Sequence, residues 1–425
     1  MAHKFNTLAL HAGIHTDDTL SRGVPVHRTT AYLFKDTSHA ADLFALKEMG
    51  NIYSRLQNPT QDVLEKRVAA LENGAAALAL SSGTAAIFYT IINVCGAGDE
   101  VVSTANLYGG TFTMFSHMLP EMGIRVHFVH PDKKEDIENA ITPATRLLFC
   151  ETIGNPSLDV VHIRKMADIA DRHHLPLAVD STFTTPYLIQ PIDHGAHIVI
   201  HSLTKWMGGH GTALGGIVVD SGKFDWSCEK FSLYNDPDPA YHDLRYAHDL
   251  GDLTPIAFIL RMRVGPLRNL GACISPDNAW MFLQGIETLG LRMKQHCENA
   301  LATARFLKDH PAVAWVRYPG LSDDPSYRTA AAQFKNGFGG MVVFGLKSGR
   351  QGGEKFINSL GLLSHLANVG DAKSLAIHPA STTHSQLSDT ELKEAGVTPD
   401  MIRLSIGIED IADILADIDQ AMKTP

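Results

Sequence analysis

The run Ser202-Leu203-Thr204-Lys205 sets two hydroxyls and a lysine between the β-branched stretch Ile198-Val199-Ile200 and the glycine-rich turn Trp206-Met-Gly-Gly-His-Gly211. The β-branched stretch predicts a buried strand. A lysine on the half-buried floor at a strand end sheds its proton more readily than a solvated one, and the neutral amine is a nucleophile. Hydroxyls beside it, and glycines that let backbone approach a ligand closely, suit a phosphate. Pyridoxal 5′-phosphate (PLP) is the cofactor that joins a phosphate to an aldehyde for a lysine. Two other readings compete. Lys205 alone reads as a surface lysine after a strand. Ser202-x-x-Lys205 also matches the S-x-x-K of serine acyl-enzyme hydrolases of the penicillin-binding type. That class also needs S-D-N-like and K-T-G-like elements. Lys347-Ser-Gly349 imitates the second, nothing between imitates the first, and Ser202 closes a strand instead of opening a helix.

The elements that would position such a site recur from residue 60 to 220. Helical spacing over Asp62–Leu71 is followed by an expected strand at Ala76–Leu80, a helix at Thr84–Val94 and a strand at Glu100–Ser103. Further expected strands are Arg125–Val129, Arg146–Cys150, Leu177–Val179 and His197–Ile200, and further expected helices are Thr111–Leu119, Lys133–Ala140 and Ile163–His173. This alternation predicts an α/β fold with a mainly parallel sheet covered on both faces. Ser81-Ser-Gly83, Tyr108, Glu151, Asp180 and Lys205 each fall at or just past the C-terminal end of a strand, the edge where open α/β sheets bind ligands. Residues 225–278 read as a partly helical excursion, and Asp277 to about Lys308 as one long helix. Gly340–Leu346 and Ile402–Ile408 read as strands and Asp410–Met422 as a closing helix, giving a smaller α/β C-terminal domain. The expected division is an N-terminal arm (1–60), a large domain (61–285) and a C-terminal domain (286–425).

With 425 residues, a net charge of −10 and no Lys/Arg block, the chain has no basic surface for nucleic acid. Five scattered cysteines without a C-x-x-C suit a reducing cytoplasm better than a disulfide framework. Asn73 to Gly98 carries no charge, but Ser81-Ser-Gly83 breaks it, so no membrane span is expected. His194, His197 and His201 flank a strand without sharing a face and no H-E-x-x-H occurs, so no metal is expected.

Taken in order, eight strings resemble the Cys/Met-metabolism family of PLP-dependent enzymes. They are Leu10-His-Ala-Gly13, Tyr53-Ser-Arg55 with Asn58-Pro-Thr60, Ser81-Ser-Gly-Thr-Ala85, Tyr108-Gly-Gly-Thr111, Glu151-Thr-Ile-Gly-Asn-Pro156, Asp180-Ser-Thr182, Ser202-Leu-Thr-Lys205 and Arg403-Leu-Ser-Ile-Gly-Ile-Glu-Asp410. The resemblance covers nearly the whole chain and implies the PLP-dependent transferase fold (fold type I, the aspartate-aminotransferase type). Asn368-Val-Gly-Asp-Ala-Lys-Ser374 and His378-Pro-Ala-Ser-Thr-Thr-His384 are most similar to its O-acetylhomoserine sulfhydrylase branch.

The resemblance implies roles. Lys205 would carry the cofactor and shuttle protons, and Asp180 would pair with the pyridine nitrogen and keep it protonated. Gly83 and Thr84 would offer helix N-terminal N–H groups to the phosphate, joined by Thr182, Ser202 and Thr204. Tyr53 and Arg55 would reach that phosphate from a neighbouring subunit, so a homo-oligomer is expected, a tetramer built from dimers that share active sites. Tyr108 would stack on the ring and relay a proton, while Asn155, Asn368 and Arg403 would hold the substrate. Two departures bear on activity. Methionine γ-lyases of the family have cysteine at the position of Gly110, and lyases and cystathionine enzymes tend to have serine at that of Asn368. Both departures favour γ-replacement on an O-acylhomoserine by sulfide or a small thiol over cystathionine γ-synthase or γ-lyase chemistry. The hydrolase reading and a non-catalytic scaffold remain as alternatives from other classes.

Overall fold

The computed structural model describes residues 3–16, 18–382 and 396–423. Thr383 and His384, the end of the His378–His384 string, lie outside the described residues. Seven strands form the larger sheet: β1 (Ala76–Leu80), β2 (Glu100–Thr104), β3 (Arg125–Val129), β4 (Thr145–Glu151), β5 (Leu177–Asp180), β6 (Ile198–Ser202) and β7 (Gly216–Asp220). Their spatial order is β1-β7-β6-β5-β4-β2-β3. Neighbours from β6 to β3 run parallel, whereas β7 runs antiparallel to both β1 and β6. The sheet is therefore mainly parallel.

Alternation along each strand feeds two cores. Val179, Val199 and Val219 enter one, with the Pro59–Leu71, Ile163–Arg172 and Pro276–Glu287 helices. Ala178, Ile198, Ile200 and Val218 enter the other, beneath the Gly83–Ile92 helix and the excursion after residue 225. Both faces of β5 and β6 are dry, which is why these strands read as unbroken apolar runs. Each fully buried Val or Ile contributes about 1.5–3 kcal/mol. The strand ends that carry the chemistry are thus held by a core their own sequences supply.

A second sheet has the order β10-β11-β12-β9-β8. It comprises β8 (Val313–Arg317), β9 (Met341–Leu346), β10 (Ser364–His365), β11 (Leu375–Ile377) and β12 (Met401–Ser405). The Leu289–Asp309 and Ile411–Lys423 helices pack with it around a core that includes Phe344, Ile402 and Ile418.

Several elements differ from expectation. β7 was not anticipated: it follows a glycine-rich run that reads as loop, and its five residues are too few to display a period. β8 and β11 were also missed. The single helix expected from Asp277 to Lys308 is two, Pro276–Glu287 and Leu289–Asp309, parted at Thr288, where φ is −106° and ψ is 8°. The helix expected over Thr111–Leu119 is a composite with a π-helical turn at Met114–Met118. Among the described residues no helix is long and apolar enough to cross a membrane.

Candidate active site

The C-terminal ends of β4, β5 and β6 open onto one cavity of about 220 Å³, whose far wall is Ala367, Asn368, Val369 and Arg403 of β12. The N-terminus of the Gly83–Ile92 helix forms one end. Ser82 caps it, accepting the Ala85 N–H at 3.0 Å, so Gly83 and Thr84 keep first-turn N–H groups without a helical partner. A Cβ on Gly83 would stand 2.6 Å from that of Ser202, so only glycine lets the helix end meet β6. This contact brings N–H donors, the positive end of the helix and the Ser202 hydroxyl to one point, as an anionic phosphate requires. Thr204 lines the cavity, and its hydroxyl accepts the Gly215 N–H at 3.1 Å. Thr182 also lines it, but its hydroxyl accepts the Ser202 N–H at 2.8 Å and so also ties β5 to β6.

Two carboxyls stand side by side because β4 and β5 are parallel and in register, with Glu151 opposite Asp180. Burial raises Asp180 above the usual carboxyl range, against the Thr182 hydroxyl and N–H and the charge of His201. Glu151 is raised further, by burial and then by Asp180, although it accepts the Tyr108 N–H at 2.7 Å. A cationic N–H partner would favour the charged form of Asp180. Tyr108 is 51% exposed and stands at the cavity mouth, at the start of the Gly109–Thr113 helix. A Cβ on Gly110 would come within 2.6 Å of its ring.

Lys205 lies in the turn after β6, and its Nζ donates to Asn368 Oδ1 at 2.6 Å. Burial, helped by the charge of Arg403, lowers its pKa to about 8, so a useful fraction is neutral near physiological pH. Arg403 interrupts the otherwise apolar strand β12, and burial lowers it to about 10. Its Nη1 donates to Asn155 Oδ1 at 3.0 Å, and no carboxylate among the described residues pairs with it. An unpaired guanidinium in such a place costs several kcal/mol, on the order seen for buried charges, and a ligand carboxylate is its natural complement.

Of the expected site residues, Tyr53 and Arg55 alone do not reach this cavity; Arg55 instead lies over the Tyr53 ring, 5.2 Å from its centroid. The sequence puts Glu151 on the sheet edge without a role, and its register with Asp180 shows why it belongs to the site. Phe183, Ile87 and Leu214 complete the wall. Their apolar types carry no chemical signal in sequence. Among the described residues no cluster of three or more His, Cys, Asp or Glu gathers as metal ligands; His201 instead meets Glu72 at 2.6 Å, both fully buried. The donor set fits PLP: N–H groups and hydroxyls for a phosphate, Asp180 for a ring nitrogen and a basic amine for an aldehyde.

Comparison with known proteins agrees. A model of the Cys/Met metabolism PLP-dependent enzymes matches residues 6–423. The chain is 52% identical to an O-acetyl-L-homoserine sulfhydrylase of Leptospira meyeri, with 99% of this chain and 97% of that protein covered. It is 49% identical to a homocysteine synthase of Schizosaccharomyces pombe, covering 99% and 98%. A crystal structure from Campylobacter jejuni, described as an O-acetylhomoserine (thiol)-lyase, is 40% identical with a TM-score of 0.95, covering 99% of this chain and 100% of that one. It carries N′-pyridoxyl-lysine-5′-monophosphate at position 205. The chain belongs to the Cys/Met-metabolism family of PLP-dependent enzymes.

Proposed function

We propose that this enzyme replaces the γ-substituent of O-acetyl-L-homoserine with sulfide or methanethiol, giving homocysteine or methionine plus acetate. The observation that carries the reading is the pairing of an amine, Lys205, with the Arg403 guanidinium, which no carboxylate among the described residues meets, across one cavity. The full-length likeness to O-acetyl-L-homoserine sulfhydrylases supports the choice of substrate. Bound PLP supplies an electron sink that acidifies the substrate's Cα–H and then its Cβ–H.

The chain's own residues do the rest. Arg403, steadied by Asn155, binds the substrate's α-carboxylate and aims Cα towards Lys205. Lys205 Nζ takes the proton from Cα and moves it, while Asn368 Oδ1 holds that amine in place. Asp180 keeps a proton on the ring nitrogen. Tyr108, held through its N–H by Glu151, covers the site and passes a proton to the departing acetate. Loss of a Cβ proton to Lys205 lets acetate leave; the thiol then adds at Cγ as its own proton restores Tyr108, and Cβ and Cα are reprotonated through Lys205. Gly83, Thr84, Thr182, Ser202 and Thr204 hold the phosphate, and Tyr53 and Arg55 act on the site of a neighbouring subunit in a tetramer. The domain division at residues 60 and 285 and a cytoplasmic location belong to the same proposal.

The test is an assay of purified protein with acetyl- and succinylhomoserine, each against sulfide, methanethiol and cysteine. Acetylhomoserine with sulfide or methanethiol should be fastest. Preference for cysteine would favour a cystathionine γ-synthase, and breakdown of methionine or cystathionine alone would favour a γ-lyase. A protein with no visible absorbance after PLP is added would reopen the serine-hydrolase reading.

A further inference from the structure

Along the Leu289–Asp309 helix, Arg292, His296 and Asn299 recur at intervals of four and three, so they share one face. They are 5%, 0% and 2% exposed. Polar groups buried this deeply must be hydrogen-bonded, and these three turn to backbone carbonyls on three segments, two of which adjoin site residues. Arg292 donates to the carbonyls of Trp206 (2.7 Å) and Met207 (3.2 Å), the turn that directly follows Lys205, and to that of Gly285 (2.7 Å). His296 Nδ1 lies 2.6 Å from the Ile406 carbonyl oxygen, and Asn299 Nδ2 donates to those of Gly407 (3.0 Å) and Glu409 (2.8 Å). Ile406 lies three residues past Arg403. One rigid helix therefore grips the segment that carries the amine and the segment that carries the guanidinium. Among the described residues no carboxylate forms an ion pair with Arg292, so its charge is spent on backbone dipoles.

We propose that Arg292, His296 and Asn299 are positioning residues that set the spacing between the Lys205 amine and the Arg403 guanidinium, and so the register of an α-amino acid held between them. The inference rests on the proposed function in one respect, that the substrate's carboxylate lies on Arg403. Arg292 governs the lysine end and Asn299 with His296 the carboxylate end, so the two ends should be separable by substitution. A helix that merely joined two domains would instead lose stability at either end without selective effects on the site.

Thr303 provides the control. It continues the same face one turn on, is fully buried, and its Oγ1 has no hydrogen-bond partner among the described residues. Arg292→Lys, Asn299→Ala and Thr303→Val would be prepared as PLP-loaded enzymes. Three quantities would be measured: the apparent pKa of the visible absorbance, the affinity for glycine as an unreactive α-amino acid, and the melting temperature. Asn299→Ala should weaken glycine about tenfold and leave the spectral pKa in place, since misplacement of about 1 Å is costly for an oriented ligand. Arg292→Lys should move the spectral pKa by about one unit with a smaller change in glycine affinity, because the amine's surroundings shift. Thr303→Val should alter neither. Wild-type spectral pKa and glycine affinity in the first two variants, with only a lower melting temperature, would overturn the proposal, as would equal effects from Thr303→Val. If the wild-type enzyme binds no glycine yet shows the visible band, the carboxylate reading fails, and an unmoved spectral pKa in Arg292→Lys would sink the lysine half separately.

Discussion

Asp180 and Asp220 each end a short strand directly after a valine, in Leu-Ala-Val-Asp and Gly-Ile-Val-Val-Asp, and each accepts at 2.9 Å the N–H two residues ahead. Both are buried, at 9% and 1% exposure, and burial raises the pKa of both. Strand direction separates them. β5 runs with its neighbours and delivers Asp180, opposite Ile200, to the cavity. β7 runs against β6 and delivers Asp220, opposite Ile198, to the other edge. There its Oδ2 finds no hydrogen-bond partner among the described residues. A carboxyl at a strand end is thus a chemical group on one edge of this sheet and a burden on stability at the other.

Substitutions can break that contrast, and the largest effect belongs to the edge that works. Lys205→Ala should reduce turnover below detection and remove the visible absorbance of bound cofactor, both read on one purified sample. Asp180→Asn keeps the shape but cannot hold a proton on the ring nitrogen by charge. It should cost about 10²–10³-fold in kcat, the scale of losing one preorganised electrostatic partner, with little change in melting temperature. Gly110→Ala asks how far the working edge extends, because the added Cβ must turn the Tyr108 ring aside. A loss of about tenfold in kcat/KM is expected, as for a displaced proton relay.

The opposite edge should answer differently. Asp220→Asn should leave kcat within about twofold, because Asp220 does not line the cavity, and alter stability instead, as changes at a buried polar group do. Burial pushes the Asp220 carboxyl up to about 7. Its neutral form therefore stabilises the fold fully below the unfolded-state value and loses that contribution as pH rises through about 7. The wild type should lose melting temperature as pH rises from about 4 to about 7, and the variant, neutral throughout, should lose less. Loss of activity in Asp220→Asn comparable to that in Asp180→Asn would erase the distinction between the edges.

The same pair shows what was legible in the residues. Asp180 was placed on the working edge because helices separate its strand from its neighbours, and a helical crossover enforces parallel order. Asp220 follows β6 through a glycine-rich turn, and nothing in that turn's composition announces a reversal. The apolar runs of β1 and β9 were readable because their surroundings are dry, whereas the two-residue β10 and three-residue β11 are too short to show a period. Lys205, Asp180 and the Ser82 turn were legible as chemistry. Asn368 and Arg403 were singled out only by resemblance, because their contacts reach 163 and 248 residues along the chain, to Lys205 and Asn155. Tyr53 and Arg55 were singled out by resemblance alone, and they lie outside this cavity.

The irregular stretch after residue 225 is better regarded as a wall than as a loop. Trp226 stacks on Tyr234 at 4.3 Å and on Phe258 at 5.4 Å, with Phe224 and Phe231 edge-on, and the cluster roofs one face of the large sheet. Asn93 fastens it by donating to the Tyr234 hydroxyl and the Phe258 carbonyl. For anyone trimming this enzyme into a smaller catalyst, the segment is therefore the wrong place to cut. Its removal would lay bare the sheet beneath Ile198 and Ile200, and the shortened chain would be expected to clump before it could be assayed.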